Sequence, residues 1–484
     1  MDFLKIVPIS NILTHTRYLL TLRSSEGLYH SLLLFRLSTA SHIPDEEPKE
    51  LPDQDHVESV NNRISEDIAE QLYVMESACP HLGADMSHAD IEECETGMVA
   101  VCPWHRYDFD MRTGKSETGL RACVYKVEVR DNSVWIEPPE EGQNWRLVEF
   151  RPVSEEFADP PPPPKPSSSS SASTPLDLIT LPEPIIPTEN APKTLIQWAV
   201  LILNTSHPQL KVERTRHAVK LFRSGKLSSI GRGSNAPKPP DTPPREDYMK
   251  FVDPNRAAKR KSRAAMLHAL ANIEQWAIDL AWDAIARFGP SHPSLPHQFF
   301  SDFTKIALDE AKHFSLLLSR LSSLSTPYGS LPIHSALWSS ATETSQTLRS
   351  RLAIVHLVHE ARGLDVNPAT IAKFAKQGDK ESVDALTIIH NDEVTHVTAG
   401  HRWFTFVCNE DGVDPVATFR EEVRQHFSGR LKGPFNVEDR EKAGLTRDFY
   451  EDLAGELRDY PDIGSISLKE RAMEEAGIKV EYQS

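Results

Sequence analysis

At 484 residues the chain exceeds what one core supports and suits two or three domains. A formal charge of −17 favours solubility and argues against a protein built mainly to bind nucleic acid or a membrane surface. No run of about 18 apolar residues occurs, so no membrane-spanning helix is expected. The start Met1-Asp2-Phe3-Leu4-Lys5 has the layout of neither a signal peptide nor a transit peptide, and a cytoplasmic location is expected. Five cysteines (Cys79, Cys94, Cys102, Cys123 and Cys408) make no disulfide framework, and reduced thiols open to metal are the expectation.

Residues 1–150 read as β structure: apolar or alternating runs at 17–22, 32–37, 71–75 and 124–129 lie between turn residues. Within this region, 44–62 is an acidic insert whose composition predicts an exposed loop. Residues 151–194 carry a proline run at 160–164 and a serine run at 167–171, which cannot bury enough apolar surface to fold, so a disordered linker is expected. From 195 to 450 the periodicity is helical, clearest near 260–288, 298–324, 341–363 and 379–407. The stretch 451–484 reads as a charged tail. The expected fold class is an all-β domain followed by an all-α bundle, joined by a Pro/Ser-rich linker.

The β region contains Cys79-Pro-His81, then 20 residues, then Cys102-Pro-Trp-His105. Each segment offers one thiolate and one imidazole, so two facing loops would supply two of each. Such a set also suits zinc, but zinc fingers pair Cys with Cys and His with His within a segment. The mixed pairs, with Leu82-Gly83 and the tail Tyr107-Asp-Phe-Asp-Met-Arg-Thr-Gly114, resemble Rieske [2Fe–2S] domains. The resemblance implies a cluster held by Cys79, His81, Cys102 and His105, and one-electron transfer. Ala84 and Trp104 stand where high-potential respiratory Rieske proteins have a further cysteine pair, so the likeness is to the ferredoxin and oxygenase type. Cys94 and Cys123 are expected to be structural.

Four helices of the second region place a carboxylate on an apolar stripe. Glu274 lies with Leu270, Ile273, Ala277 and Ala281; Glu310 and His313 lie with Phe303, Ile306, Ala307, Phe314 and Leu317. Glu360 shares a face with Leu352 and His356, and Glu393 and His396 lie with Leu386, Ile389, Val397, Gly400 and Phe404. Buried carboxylates need a cation or one another. Glu310-x-x-His313 and Glu393-x-x-His396 are one-turn pairs on a single face, and mixed O and N donors suit iron or manganese. The order Glu, Glu-x-x-His, Glu, Glu-x-x-His, at intervals of 36, 50 and 33 residues, resembles the ferritin-like di-iron carboxylate bundles. More narrowly, the stretch His359-Glu-Ala-Arg-Gly-Leu-Asp365 and the later Gly433-Pro-Phe-Asn436 resemble a ferritin-like family of unassigned function, distantly similar to di-iron tRNA hydroxylases. The resemblance implies a di-iron (or Fe/Mn) centre with Glu274, Glu310, His313, Glu360, Glu393 and His396 as ligands, the two Glu/His pairs each anchoring one metal and Glu274 and Glu360 completing or bridging them.

His356 and His390 are either further ligands, supports of ligands, or satisfied core histidines. His268 falls off the ligand face, and Trp276 and Trp282 read as core. The basic runs 211–232 and 256–263 are expected to be solvated helix faces rather than nucleic-acid contacts. The expected function is an oxidoreductase in which the Rieske cluster feeds electrons to a di-iron centre that activates O2 to oxidise an organic substrate. No dinucleotide fingerprint is visible, so a separate NAD(P)H-dependent reductase is expected. Two alternatives stand beside it. One is a Rieske oxygenase with a mononuclear iron at Glu393, His396 and His401. The other is a non-enzymatic electron-transfer or iron-binding protein.

Overall fold

A computed structural model describes residues 3–13, 15–37, 69–94, 97–104, 106–153, 181–253, 262–427, 431 and 433–456. The acidic insert 44–62, most of the expected linker (154–180) and nearly all of the tail (457–484) lie outside these residues.

The first domain is all β. Its strands are β1 (Leu4–Pro8), β2 (Arg17–Arg23), β3 (Tyr29–Arg36), β4 (Leu72–Glu76), β5 (Asp90–Cys94), β6 (Gly97–Val101), β7 (Asp108–Asp110), β8 (Val124–Tyr125), β9 (Val127–Arg130), β10 (Ser133–Ile136) and β11 (Arg146–Pro152). They form three sheets, in the orders β1-β10-β9, β11-β2-β3-β4-β8 and β5-β6-β7. The run 124–129 is broken at Lys126, so that β8 pairs with β4 and β9 with β10. β3 is buried on both faces, which explains its continuous Leu32-Leu-Leu-Phe35. Leu32 and Leu34 enter one core with Tyr18, Leu20 and Ile136. Leu33 and Phe35 enter a second core, with Met75, Met86, Phe109 and the thiols Cys79 and Cys102. The strand therefore separates a structural core from the one beneath the two Cys/His loops. Cys94 and Cys123 are exposed rather than structural, because they fall on outward positions of the domain.

The second domain is all α. Its helices are α1 (Leu195–Leu203), α2 (Pro208–Arg223), α3 (Arg263–Asp283), α4 (His297–Ser323), α5 (Ala336–Glu343), α6 (348–376), α7 (Lys380–Glu410), α8 (Pro415–His426), α9 (Val437–Lys442) and α10 (Arg447–Glu456). Side-chain caps start several of them: Ser262 Oγ accepts from Ala265 N–H at 3.1 Å, and Asp379 Oδ1 from Ser382 N–H at 3.1 Å. The helix expected over 341–363 is two. α5 ends at Glu343, and α6 runs through Leu348–Arg351, a π-helical segment Leu352–His359, and Glu360–Lys376. α6 tolerates Pro368 because another donor replaces its missing N–H: Asn436 Nδ2 donates to the Leu364 carbonyl at 3.2 Å. Asn436 N–H also donates to Asp365 Oδ1 at 2.9 Å, so the two stretches that carry the narrower family resemblance meet in space.

The stripe assigned to α3 is wrong in detail. Ile273 is 39% exposed while Glu274 is 4% exposed, because α3 is enclosed on nearly all sides and its periodicity does not report one face. The basic run at 211–232 is not a solvated face throughout: Lys211 and Arg214 are buried, paired with Asp279 and Glu183. Residues 151 and 152, expected in the linker, finish the last sheet strand, and Arg151 reaches the helical domain.

The domains touch along one seam. Tyr29 Oη lies 2.6 Å from His401 Nδ1, and Arg402 Nη1 donates to Ser31 Oγ at 2.9 Å. Trp104, between Cys102 and His105, donates its indole N–H to the Phe222 carbonyl at 3.3 Å and packs edge-on against His297, centroids 4.3 Å apart. Gly225 makes this approach possible: it sits at φ +71°, and a Cβ there would lie 2.5 Å from the Trp104 ring.

Candidate metal centres

The two Cys/His loops of the β domain share one backbone design. Cys79 N–H donates to the Ala84 carbonyl and Gly83 N–H returns to the Cys79 carbonyl, both at 2.8 Å. Cys102 N–H donates to the Tyr107 carbonyl at 2.8 Å, and Arg106 N–H returns to the Cys102 carbonyl at 3.0 Å. In each loop the fifth residue is left-handed, Gly83 at φ +74° and Arg106 at φ +59°. The strained Arg106 is held from outside by Asp90 and Glu92. The Cys79 thiol contacts Cys102; that contact and burial push its pKa up, against backbone hydrogen bonds from His81 and Leu82. His81 is half-buried, with its ring 4.7 Å from that of Tyr107. His105 lies outside the described residues. Two buried thiols facing each other, with amides aimed at one sulfur, fit a cluster that needs two thiolates on one iron.

In the helical domain, α3, α4 and α7 bring Glu274, Glu310, His313 and Glu393 together, with one possible ligand atom from each lying within 4.8 Å of the others. Glu310 is central. Its Oε2 lies 3.2 Å from His313 Nδ1, and its Oε1 lies 3.0 Å from His396 Nδ1. Glu274 Oε2 is 3.6 Å from His313 Nδ1, and Glu393 Oε2 is 3.8 Å from His396 Nδ1. Glu310 thus lies between the two histidines, with Glu274 and Glu393 beside it. Glu360 is not part of this group; its Oε1 is 2.7 Å from His356 Nδ1, while its Oε2 is buried with no hydrogen-bond partner. Gly400 lets α7 approach here, since a Cβ on it would lie 2.8 Å from the His356 Cβ.

The electrostatics of this group are unbalanced. Burial, then the neighbouring Glu310 charge, lifts Glu274 from 4.5 to about 8 and Glu393 well above the carboxylate range. Burial opposes ionisation of Glu310 too, but His396 and His313 overcome it and hold the group low. Burial works against charging of both histidines, yet the surrounding carboxylates raise them well above the usual imidazole value. Carboxylates crowded out of water around two buried imidazoles fit a site for cations.

Three supporting groups stand outside the six expected ligands. Asp392 Oδ2 lies 2.9 Å from His313 Nε2, and Asp309 Oδ2 lies 3.5 Å from His396 Nε2, so the aspartate on each helix backs the histidine of the other. Lys312 joins them, 2.5 Å from Asp392 and 3.5 Å from Asp309. The signal was present: both motifs read Asp-Glu-x-x-His. The remaining histidines are engaged elsewhere. His390 pairs with Asp439 at 3.1 Å, His268 accepts from Gly329 N–H at 2.9 Å, and His401 is turned to Tyr29. The last contact removes His401 from the mononuclear set. Trp276 and Trp282 are buried, with their indole N–H groups donated to the His334 carbonyl and Thr215.

These features define a two-part redox class: a β domain built on a pair of Cys/His loops, joined to a helical domain with a buried carboxylate–histidine cluster. The chain belongs to the family described as Protein of unknown function (DUF455), matched over residues 204–451, and its residues 39–124 match the Rieske [2Fe–2S] domain. A Haemophilus influenzae relative, described as an uncharacterized protein, is 35% identical over 201 residues, 41% of this chain and 70% of that one. A solved structure described, provisionally, as the small subunit of an NADPH nitrite reductase is 16% identical over 28% of this chain and 100% of its own, with a TM-score of 0.19, too low to carry an argument. The β domain is a Rieske domain, a module for iron–sulfur electron transfer. No helix among the described residues is long and apolar enough to cross a membrane.

Proposed function

We propose that this chain is an oxidoreductase in which a Rieske cluster, held by Cys79, His81, Cys102 and His105, passes electrons to a di-iron (or Fe/Mn) centre in a ferritin-like helical domain. Such a centre, when bound, supplies O2 activation for oxidation of an organic substrate. The observation that carries the reading is Glu310, a buried carboxylate whose two oxygens face two histidines from different helices. Glu274 and His313 stand on one side of it and His396 and Glu393 on the other, and these residues would hold the two metals. Glu360 would complete the set, and its buried Oε2, which has no hydrogen-bond partner, supports that role. The domains divide near residues 150 and 195, and with donor and acceptor on one chain effective concentration replaces diffusion. Electrons reach the cluster from an NAD(P)H-dependent reductase.

Iron and acid-labile sulfide content, with EPR of the dithionite-reduced protein, tests this. Iron in excess of sulfide, with a Rieske signal, supports the reading. Equal iron and sulfide would leave the Rieske half alone and remove the di-iron centre. Glu310→Ala should then lower iron content without changing the Rieske signal.

A further inference from the structure

The two aspartates behind the histidines differ in the cations that reach them. Asp392 Oδ2 is shared by His313 Nε2 at 2.9 Å and Lys312 Nζ at 2.5 Å, both from α4. Asp309 Oδ2 is shared by His396 Nε2 at 3.5 Å and Arg151 Nη1 at 3.3 Å. Arg151 belongs to β11 of the Rieske domain. It is 8% exposed, its Nε lies 3.1 Å from Glu149 Oε1, and its Nη1 also reaches Thr395 Oγ1, next to His396, at 3.5 Å. Lys312 Nζ also lies 3.5 Å from Asp309 Oδ1, so it serves both aspartates, and Arg151 adds at Asp309 a second cation that the Rieske domain brings.

We propose that Arg151 is a positioning residue through which the docked Rieske domain tunes the metal position at His396. The proposal rests on the di-iron reading above. A carboxylate behind a ligating imidazole makes the ring a stronger donor and disfavours the reduced metal. A guanidinium on the same oxygen withdraws part of that charge and fixes the carboxylate in place. Lys312 does this for His313 whether or not the domains touch. Lys312 also reaches Asp309 Oδ1, and Arg151 adds a second cation at Oδ2 only when they do, so domain contact adds to the tuning on the His396 side.

The test is a redox titration of the full iron-loaded chain, followed by EPR of the bundle signal, for wild type, Arg151→Gln, Arg151→Lys, Asp309→Asn and the Arg151→Gln/Asp309→Asn double variant. The Rieske signal in the same sample is the internal control. Arg151→Gln should keep its bundle iron and shift the bundle potential negative, by up to about tenfold in the reduction equilibrium, or about 59 mV for one electron. The Rieske potential should not move, and Arg151→Lys should restore most of the shift. In the Asp309→Asn background Arg151→Gln should do nothing, because the route runs through that carboxylate. An unshifted Arg151→Gln titration, or a shift that survives in the Asp309→Asn background, overturns the proposal. A wild-type bundle without iron would sink the di-iron reading and this one together. A loaded bundle indifferent to Arg151 would sink only this one.

Discussion

Replacing Glu274 by Gln should stabilise the metal-free protein while abolishing tight metal binding on that side of the site. Burial and the Glu310 charge lift the Glu274 carboxyl from 4.5 to about 8. A carboxyl raised in the folded state binds more protons there than in the unfolded chain, so its stability contribution is complete below pH 4.5 and is lost as the pH rises to about 8. At pH 7 the loss amounts to about 3 kcal/mol, growing to about 5 kcal/mol above pH 8. The isosteric amide has no charge to bury and escapes this loss. Helical melting of the chelator-treated protein, followed at several pH values, reads the difference. Glu274→Gln should melt about 6–12 °C above wild type at pH 7, with the gap closing as pH falls toward the normal carboxylate range. Added ferrous iron should reverse the order, since only wild type gains the full ligand-binding stabilisation. If the metal-free variant melted no higher than wild type at pH 7, or if the gap did not depend on pH, Glu274 would not be the frustrated carboxylate described here.

Further outcomes follow from the same contacts. His81→Ala should abolish the Rieske EPR signal and leave the far-UV helical CD unchanged, because the loop belongs to a separate core. Gly225→Ala forces a Cβ against Trp104 at a left-handed φ, and urea unfolding should show a loss of about 1–3 kcal/mol. Asp279→Ala leaves Lys211 and Arg245 buried without their carboxylate, and the same assay should show a loss of about 3–5 kcal/mol. Asn436→Ala orphans the Leu364 carbonyl before Pro368 and should cost about 1–3 kcal/mol.

The β domain followed by an α domain was legible because strand and helix periods differ and a proline–serine stretch separates them. The Cys/His loops were legible because each pair is adjacent in sequence, so spacing carries the geometry. The carboxylate set was legible for a different reason: an acid on an apolar stripe breaks a pattern. That logic misplaced the stripe of α3, where burial on all sides hides the period and Ile273 points outward. It paired Glu310 with His313 and gave no sign of its contact with His396, since a helix face does not say which carboxylate lies midway between two helices. The hold of His356 on Glu360 depends on rotamers, and the π-helical segment that carries His356 shifts the face by a fraction of a turn. Arg151 was out of reach, because its partner is 158 residues away and on another domain.

The buried acids of the helical domain fall into two groups, and the distinction bears directly on function. Asp279 meets Lys211 and Arg245, Asp283 meets Arg351 and Arg287, and Asp365 meets Arg440. Each of these carboxylates has a protein cation with a permanent charge, so each is complete as a structural ion pair. Glu274, Glu310 and Glu393 meet only histidines and one another. An imidazole balances a carboxylate only by taking up a proton, and in doing so it ceases to be a ligand. The second group is thus balanced either by protons or by metal, but not by both. Cation loading should therefore release protons into solution, and proton release measured during ferrous titration of the metal-free chain separates this site from the Asp/Arg pairs around it. A titration that takes up iron without releasing protons would place the metal elsewhere.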